Sequence, residues 1–305
     1  MAKTKKIHQM TLPQFEAMFP DEAACAAYLV KHRWPEGVQC PRCGHDGVYD
    51  LPSRDLNWQC HQCAPQGYRF SHLVGTVFEN TNKPLREWFR VIHLMLTSKK
   101  GISALQVMRY MGFGSYKTAW YMCHRIRAAL QDKDFHQLMG IVEVDEMYVG
   151  GKISNRHKNR RGPGSGSPGG GTTGSGKIPV VGAVQRKGNV VARVIERPTA
   201  ATLCAFVEEV VSHKVSLLAT DDYKAYRNLP RDYPHFAVKH SLGEYVVGAI
   251  HTNTIEGFWS IFKRGVVGTF HKVSKKYMPL YVAEFQFRYN NRENADIFGA
   301  AIKGC

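Results

Sequence analysis

The stretch LLATDDYKAY, residues 217–226, joins a short apolar run to two adjacent aspartates. The run from Leu217 to Ala219 predicts a buried strand, and Asp221 and Asp222 follow directly at its end. An acid at the end of a buried strand is usually either a turn signal or a metal ligand. The surrounding sequence has to decide between these two interpretations.

The segments around this stretch predict an α/β domain over residues 136–305. Residues 140–151, GIVEVDEMYVGG, are typical of a strand, and residues 177–197, KIPVVGAVQRKGNVVARVIER, are typical of two more. Residues 199–213 predict a helix before the strand at 217, and the chain ends in a helical region. Strands and helices in this order predict a sheet with helices packed against it.

Two pairs of cysteines lie within residues 1–75, which we interpret as a helical lead-in followed by a metal module. Each pair has the spacing C-x2-C, and sixteen residues separate the pairs. Thiolates separated by two residues can bind one ion from a tight turn, and two such pairs complete a tetrahedral four-sulfur site. Because such a site leaves no open position for water, we predict one structural zinc ion, bound by Cys40, Cys43, Cys60 and Cys63.

Residues 76–135 predict a helix-turn-helix-like DNA-binding segment. Residues 102–111, ISALQVMRYM, and residues 116–130, YKTAWYMCHRIRAAL, are helical in pattern, and GFGS supplies the turn between them. The apolar residues of the second helix recur on one face. Four basic residues lie largely off that face and could contact DNA phosphates or bases: Lys117, His124, Arg125 and Arg127. The alternative is an ordinary helical hairpin with a solvated basic side.

The formal net charge of +16 favours a polyanionic partner such as DNA. Residues 155–177 are first basic and then glycine-rich, so we expect a mobile arm within the α/β domain. Its candidate DNA contacts are Arg156, Lys158, Arg160 and Arg161. No apolar run approaches the ~20 residues that cross a bilayer, and no apolar segment follows the basic N-terminus. We therefore expect a cytoplasmic, nucleoid-associated protein with no membrane partner.

Three acids stand out by their positions in the α/β domain. Asp145 lies in the first predicted strand, Asp221 ends the fourth, and Glu256 opens the helix in HTNTIEGFWSIFKRG. Lys263 follows Glu256 by seven residues, or two helical turns, so both side chains project from one face of that helix. The three acids are thus candidates for one shared site.

Each acid also has a purely structural explanation. An edge strand could expose three acids on a solvated side: Glu143, Asp145 and Glu146. Asp222 could cap the short helix that follows it. Asn253 and Glu256 have the spacing of a capping box, in which Glu256 only satisfies a backbone N–H. The joint occurrence of these acids on this order of elements favours the shared site.

The chain resembles bacterial insertion-sequence transposases of the DDE type, in the group that joins an N-terminal zinc ribbon to an RNase H-like domain and is related to the eukaryotic Merlin elements. The motifs that carry the resemblance are RWPEGVQCPRCG, FSHLVGTVFENTNKPLREWF, VDEMYVGGK, PVVGAVQR, TDDYKAY, HTNTIEGFWSIFKRG and EFQFRYNNR. They cover nearly the whole chain. The resemblance implies an RNase H-like mixed sheet with flanking helices, preceded by the zinc ribbon and the helix-turn-helix-like segment.

The resemblance also implies roles for the acids. The aspartate of VDE is the family's first carboxylate and the aspartate after the threonine of TD is its second, which correspond to Asp145 and Asp221. The third position falls in NTIE; some related sequences carry asparagine there, so Asn253 is the alternative to Glu256, which we favour. Three carboxylates can hold two Mg²⁺ or Mn²⁺ ions about 4 Å apart for attack on a DNA phosphodiester. We expect Lys263 to hold a DNA phosphate near these ions, with Arg264 as a further DNA contact.

A DNA transposase is the function that the resemblance implies. Such a protein binds the terminal inverted repeats of its element, cleaves the ends and joins the freed 3′-hydroxyls to target double-stranded DNA. Because these enzymes act on paired ends, we expect a homo-oligomer on DNA. Two alternatives stay open: a non-catalytic DNA-binding protein derived from such an enzyme, and a two-metal nuclease without strand transfer. In each enzymatic case Asp221 is the metal ligand, and Asp222 caps the next turn or faces solvent.

Overall fold

The computed structural model describes residues 10–63, 65–131, 136–150, 177–221, 224–238 and 251–305. The chain divides into two compact units. The first unit comprises Met1–Gln131 together with Asn291–Cys305, and the second comprises Asp132–Asn290. Of the helices in the described part of the chain, none combines the length and the apolar character needed to span a bilayer.

The first unit combines helices with a small antiparallel sheet. Its helices are α1 (Leu12–Met18), α2 (Glu22–Arg33), α3 (Leu85–Thr97), α4 (Ala104–Met111), α5 (Tyr116–Ala129) and α9 (Ile297–Gly304). Its strands are β1 (Val48–Asp50), β2 (Asn57–Cys60) and β3 (Tyr68–Ser71), paired in that order. The Asp21 side chain accepts a hydrogen bond of 2.8 Å from the backbone N–H of Ala24 and so caps α2.

The last residues of the chain differ from the sequence-based division. The sequence assigned residues 291–305 to the α/β domain, whereas they belong to the first unit. The reason is aromatic packing, because the buried ring of Phe298 on α9 lies 5.4 Å from the ring of Phe19 and 5.5 Å from that of Phe89. Helix α9 therefore completes the core of the first unit.

Helices α4 and α5 form the predicted helical hairpin. Gly112 ends α4 in the left-handed conformation, with φ of 66°, which a glycine adopts without strain. Ser115 is the N-cap of α5, and its side chain accepts a hydrogen bond from a backbone N–H in the first turn. Ala119, Cys123 and Ile126 are buried, as their common face predicts.

The second unit is built on a mixed sheet of β4 (Ile141–Val149), β5 (Ile178–Gln185), β6 (Val190–Val194), β7 (Leu217–Asp221) and β8 (His235–Val238). The strand order is β6-β5-β4-β7-β8. Strand β4 is antiparallel to β5 and parallel to β7, and β8 extends the parallel part. The sequence had not predicted β8, because its four residues are flanked by polar stretches.

Helices cover both faces of this sheet. They are α6 (Ala200–Val210), a 3-10 helix (Lys224–Asn228), α7 (Asn253–Arg264), which continues as a π-helical segment (Gly265–Phe270), and α8 (Met278–Asn290). On one face Leu203 of α6 packs in the same core as Val144 of β4. On the other face Trp259 of α7 and Phe285 of α8 pack in a core with Met147 of β4. The sheet and its flanking helices confirm the predicted fold class.

Candidate active site and metal centres

The four paired cysteines form a compact cluster in the first unit. Their sulfur atoms all lie within 4.8 Å of one another. The Sγ–Sγ distance is 3.7 Å between Cys40 and Cys63 and 3.6 Å between Cys43 and Cys60. Zinc–sulfur bonds of ~2.3 Å in a tetrahedron place the sulfur atoms about 3.8 Å apart. The cluster therefore fits one structural zinc ion, as the sequence predicted.

Short turns bring these cysteines together. Gly44 has φ of 75°, and its N–H donates to the Cys40 carbonyl at 2.8 Å, which closes the first turn. Cys60 ends β2, and the second turn follows it directly. The rings of Trp58 and Phe70 pack in the same small core, with centroids 5.8 Å apart. A module with so few apolar residues is expected to depend on the bound ion for its stability.

Asp145 and Asp221 lie on neighbouring strands in the middle of the other sheet. Strands β4 and β7 run parallel, and Val144 pairs with Thr220. The next residue of each strand is therefore an aspartate, and both side chains point to the same face because side chains alternate along a strand. This is the face on which α7 packs. The topology thus brings two acids, 76 positions apart in sequence, next to each other.

A glycine allows α7 to lie close to Asp145. Gly182 of β5 is the sheet partner of Asp145, and a Cβ atom at Gly182 would lie 2.7 Å from the ring of Trp259. A side chain at this position would therefore push Trp259, and with it α7, away from the sheet. Since Glu256 precedes Trp259 by three residues, the close contact at Gly182 lies about one helical turn from Glu256.

The charges of the predicted site residues act together on Asp145. Burial is the main cause that raises the pKa of Asp145 to about 7, and the charges of Asp221 and Glu256 raise it further, while Lys263 acts in the opposite direction. Glu256 and Lys263 are both exposed on α7, and Glu256 Oε1 accepts a hydrogen bond of 2.9 Å from the Thr252 hydroxyl. The ionisation of Asp145 is therefore affected by both other acids and by the lysine, and negative charge is in excess among these four residues.

The carboxylates are less tightly grouped than the cysteines. Within the ranges that the structure describes, the cysteine cluster is the only set of three or more His, Cys, Asp or Glu side chains whose ligand atoms all lie within 4.8 Å of one another. Among the described residues, the three acids therefore do not form a comparably compact set of ligand atoms.

Glu146 is a further carboxylate beside the site that sequence reasoning missed. The buried Tyr226 hydroxyl donates to its Oε2 at 2.7 Å. Burial raises the pKa of Glu146 to about 7, and the charges of Asp221 and Asp145 add to this effect. The sequence offered only a solvated role for Glu146. The last tyrosine of TDDYKAY, which is Tyr226, is the signal that could have indicated the partner of Glu146.

Glu143 is also not the solvated acid that the edge-strand alternative required. Strand β4 lies in the centre of the sheet, and the Glu143 side chain has 0% exposure. Its Oε2 accepts hydrogen bonds from the backbone N–H groups of Thr254, at 2.7 Å, and Ile255, at 3.0 Å. Its Oε1 accepts a hydrogen bond of 2.6 Å from Arg186 Nε. Glu143 therefore caps the first turn of α7 from a neighbouring strand.

Asn253 does not have the capping role that the sequence predicted. Helix α7 begins at Asn253, so the N-cap position belongs to Thr252, and the Thr252 side chain makes no capping hydrogen bond. The expected capping box of Asn253 and Glu256 is wrong, because the helix starts one residue earlier than that box requires. Asn253 is exposed. The N–H groups that a local cap would satisfy are bound by Glu143 instead.

Two of the basic residues predicted for the solvated side of α5 are buried. His124 is 7% exposed and stacks on Trp120 with ring centroids 4.0 Å apart, and Arg127 is 1% exposed. The prediction placed both on the solvated side because it assumed one packed face, whereas α5 packs against both α3 and α4. Lys117 is exposed and Arg125 is half-buried, so these two residues keep accessible surface.

A cavity of about 810 Å³ opens beside Lys117 and Arg125. The guanidinium carbon of Arg125 lies 5.6 Å from the ring centroid of Tyr121 and 5.8 Å from that of Trp88. One of its nitrogens donates to the Glu79 carbonyl at 3.1 Å, which fixes the side chain in place. Basic and aromatic side chains together are typical of surfaces that bind nucleic acids.

The remaining predicted residues fall into two groups. Lys263 and Arg264 are exposed at the end of α7, and an Arg264 nitrogen donates to the Ser260 hydroxyl at 2.6 Å. The others lie outside the described residues: Asp222, Arg156, Lys158, Arg160 and Arg161.

Known proteins share both parts of this chain. Residues 137–290 match the ISXO2-like transposase domain, and residues 20–66 match the transposase zinc-ribbon domain. A protein of Halobacterium salinarum described as belonging to the transposable element ISH50 is 31% identical over 275 residues, which cover 88% of this chain and 91% of that protein. A transposase-like protein of Haemophilus influenzae is 30% identical over 101 residues, which cover 33% of this chain and 80% of that protein.

Proposed function

Since the chain belongs to the family of ISXO2-like transposases, we propose that it cleaves the ends of an insertion sequence and joins the freed 3′-hydroxyls to target DNA. The observation that supports this proposal is that Asp145 and Asp221 are neighbours on the sheet face against which α7, the helix of Glu256, packs. The rise in the pKa of Asp145 to about 7 supports it, because part of this rise comes from the other two carboxylates. Perturbed carboxylates of this kind are typical of functional sites.

The three carboxylates are the groups that would hold the metal ions of this reaction. Oxygen ligands with an excess of negative charge suit Mg²⁺ or Mn²⁺, whereas the thiolates of the cysteine cluster suit zinc. When bound, such ions activate a water or a 3′-hydroxyl and stabilise the leaving oxygen of a phosphodiester. Asp145 and Asp221 project from rigid strands and Glu256 projects from a packed helix, so the protein presents its ligands with little freedom to move.

Lys263 is the residue that we assign to the phosphate of the bound DNA at this site. It is close enough to act on the pKa of Asp145, and its exposed side chain shares a helix face with Glu256. A lysine in this position binds a DNA phosphate as a point charge beside the carboxylates. Arg264 extends the same basic end of α7.

Recognition of the element ends falls to the first unit in this proposal. Lys117 and Arg125 line the cavity beside α5, where they contact phosphates or bases. The basic residues of the arm add phosphate contacts, which make the affinity for DNA strongly dependent on salt. The protein acts as a homo-oligomer that holds two ends of the element. Because its substrate is bacterial DNA, it works in the nucleoid.

The test is a reaction of the full chain with labelled element ends, supercoiled plasmid and Mg²⁺. We expect ends joined to plasmid. Asp145→Asn, Asp221→Asn and Glu256→Gln are each expected to lose activity on the order of 10³-fold or more, because each removes a charged ligand of the reacting centre. Binding of the ends in a gel-shift assay is expected to persist in all three variants.

Two other results of this assay would support a different function. Cleaved ends without joined plasmid would indicate a two-metal nuclease. Bound but intact DNA at every Mg²⁺ and Mn²⁺ concentration would indicate a DNA-binding protein without catalytic activity.

A further inference from the structure

The start of α7 is held by a side chain of the sheet and not by a side chain of its own. The N-cap residue, Thr252, makes no capping hydrogen bond, and its hydroxyl donates to Glu256. The backbone N–H groups of Thr254 and Ile255 donate to Glu143 Oε2, and the Thr254 hydroxyl donates to Oε1 at 2.8 Å. A negative charge at this position is also favoured by the helix dipole.

The Glu143 carboxylate is itself fixed by a second set of contacts. Arg186, which follows β5 directly, donates from Nε to Oε1 at 2.6 Å, and another of its nitrogens donates to the His251 carbonyl at 3.0 Å. The His251 ring lies 3.3 Å from Oε1. Arg186 thus binds both Glu143 and the backbone that leads into α7. Charge-assisted hydrogen bonds of this kind are the stronger ones in proteins.

The positions of these contacts in sequence connect them to the acidic site. Glu143 precedes Asp145 by two residues on β4, so both side chains lie on the same face of the sheet. Ile255, whose N–H is bound by Glu143, directly precedes Glu256. Strand β4 therefore carries Asp145, which is an acid of the site, and also Glu143, whose carboxylate binds the helix that carries Glu256.

We propose that Glu143 is a positioning residue, which fixes the first turn of α7 against β4 and so sets the separation between Glu256 and Asp145. This inference rests on the proposed metal-dependent function of the same site. Glu143 itself is fully buried and bound to backbone and arginine, so it does not act as a ligand of the ions. Its effect reaches the site through the placement of Glu256.

The experiment is a calorimetric titration of the zinc-loaded full chain with Mn²⁺, without DNA. The variants are Glu143→Gln and Asp145→Asn. Glutamine keeps an acceptor oxygen for the α7 N–H groups but loses the charge that binds Arg186. Residues that orient metal ligands typically change metal affinity 10–100-fold, so we expect Glu143→Gln to weaken Mn²⁺ binding by about tenfold or more. Asp145→Asn is expected to remove it.

Two controls separate positioning from a general loss of stability. Glu209→Gln removes a carboxylate from an exposed pair with Arg193, whose contacts are 2.7 Å long, in the same unit but away from α7. Val207→Ala opens a space in the core on the opposite face of the sheet. Both controls are expected to keep wild-type Mn²⁺ affinity, although Val207→Ala lowers the melting temperature.

The outcomes distinguish the positioning role of Glu143 from the proposed metal-dependent function on which it rests. If Asp145→Asn abolishes Mn²⁺ binding while folded Glu143→Gln binds as the wild type does, the positioning role is refuted and the proposed site stands. If the wild type binds no Mn²⁺, or Asp145→Asn binds it equally well, the proposed site itself fails. Should Glu143→Gln not fold, Thr254→Val decides, since it removes only one hydrogen bond to Glu143: weaker Mn²⁺ binding supports the inference and unchanged binding overturns it.

Discussion

The cysteine cluster and the acidic site are built in opposite ways. The four cysteines lie within a short segment, and two tight turns bring their sulfur atoms within 4.8 Å of one another. The three acids come from two strands and a helix, and only the topology of the sheet brings them together. The first site is complete in its own segment and is weakly supported by apolar packing. The second is supported by the whole core but contains charges that repel one another.

The two sites depend on different sources of free energy. At the cysteine cluster the ion supplies stability that the small sheet cannot supply, so binding and folding are one process. At the acidic site the fold is stable first, and it holds carboxylates in positions where burial and like charge oppose their ionisation. Removal of a ligand is therefore expected to destabilise the first site and to stabilise the second.

The largest effect is expected at the cysteine cluster. Cys43→Ser removes one thiolate, so zinc is lost together with a binding free energy of about 10–16 kcal/mol in comparable zinc modules. We expect hydrogen exchange to become fast over β1–β3 and to stay slow in β4, with no zinc in metal analysis of the purified chain. The control is Cys204→Ser, a buried cysteine of the second unit, which should keep one zinc ion. A wild-type protein that contains no zinc but still shows slow hydrogen exchange over β1–β3 would contradict the proposed dependence of this module on zinc.

The next effect tests whether packing sets the geometry of the acidic site. In Gly182→Ala the new Cβ meets the Trp259 ring at 2.7 Å, and overpacking of this kind costs about 1–3 kcal/mol. We expect a lower melting temperature and weaker Mn²⁺ binding, because α7 and Glu256 move away from the sheet. Gly257→Ala on α7 is the matched control, since its Cβ would meet nothing within 4 Å. Equal Mn²⁺ affinity in the two variants would show that Gly182 does not control the site.

A smaller effect, of opposite sign, is expected for Asp145→Asn without Mg²⁺ or Mn²⁺. The pKa of Asp145 is raised from 3.8 to about 7, so its contribution to stability is present below about pH 4 and is lost as the pH rises through 7. The asparagine variant avoids this loss. At pH 8 we expect the variant to have a higher melting temperature than the wild type. Each kcal/mol gained by removing the buried charge should raise the melting temperature by about 2–4 °C.

Scanning calorimetry at pH 5.5 and pH 8 measures this difference on zinc-loaded protein. Glu208→Gln, which changes an exposed carboxylate of α6, should leave the dependence on pH unchanged. If Asp145→Asn melted lower than the wild type at pH 8, the inference that burial and like charge oppose the ionisation of Asp145 would be wrong.

The smallest effect is expected for Asn253→Ala. The sequence-based account made Asn253 a helix cap, worth about 1 kcal/mol. Because Asn253 is instead the exposed first residue of α7, we expect a change within about 0.5 kcal/mol in the free energy of unfolding and cleavage close to that of the wild type. Urea denaturation and the cleavage assay measure the two quantities. A folded but inactive Asn253→Ala variant, beside an active Glu256→Gln variant, would reverse our choice of the third acid.

Local patterns carried most of what the sequence could predict. The C-x2-C spacing indicated the zinc cluster, the apolar period of α5 indicated its buried face, and the run before Asp221 indicated a strand. Each of these signals lies within a few turns or residues of what it determines. The predicted meeting of Asp145, Asp221 and Glu256 relied on the order of the elements and on the resemblance, because nothing local in the sequence specifies strand order.

The missed features depend on contacts between distant segments. Glu143 looks like a solvated acid until β4 is known to be central and α7 is known to start above it. His124 and Arg127 look exposed until α5 is seen to pack on more than one side. The aromatic contacts of Phe298 likewise join the end of the chain to its beginning. Such pairings follow from the tertiary fold and leave no periodic signal.

The most direct test of the contrast between the two sites is anomalous X-ray diffraction from crystals of the zinc-loaded chain soaked in Mn²⁺, measured at the zinc and manganese edges. We expect one zinc peak among Cys40, Cys43, Cys60 and Cys63. We also expect two manganese peaks about 4 Å apart, bounded by Asp145, Asp221 and Glu256. Manganese bound by Asn253 without Glu256, or the absence of manganese from the three carboxylates, would contradict this expectation.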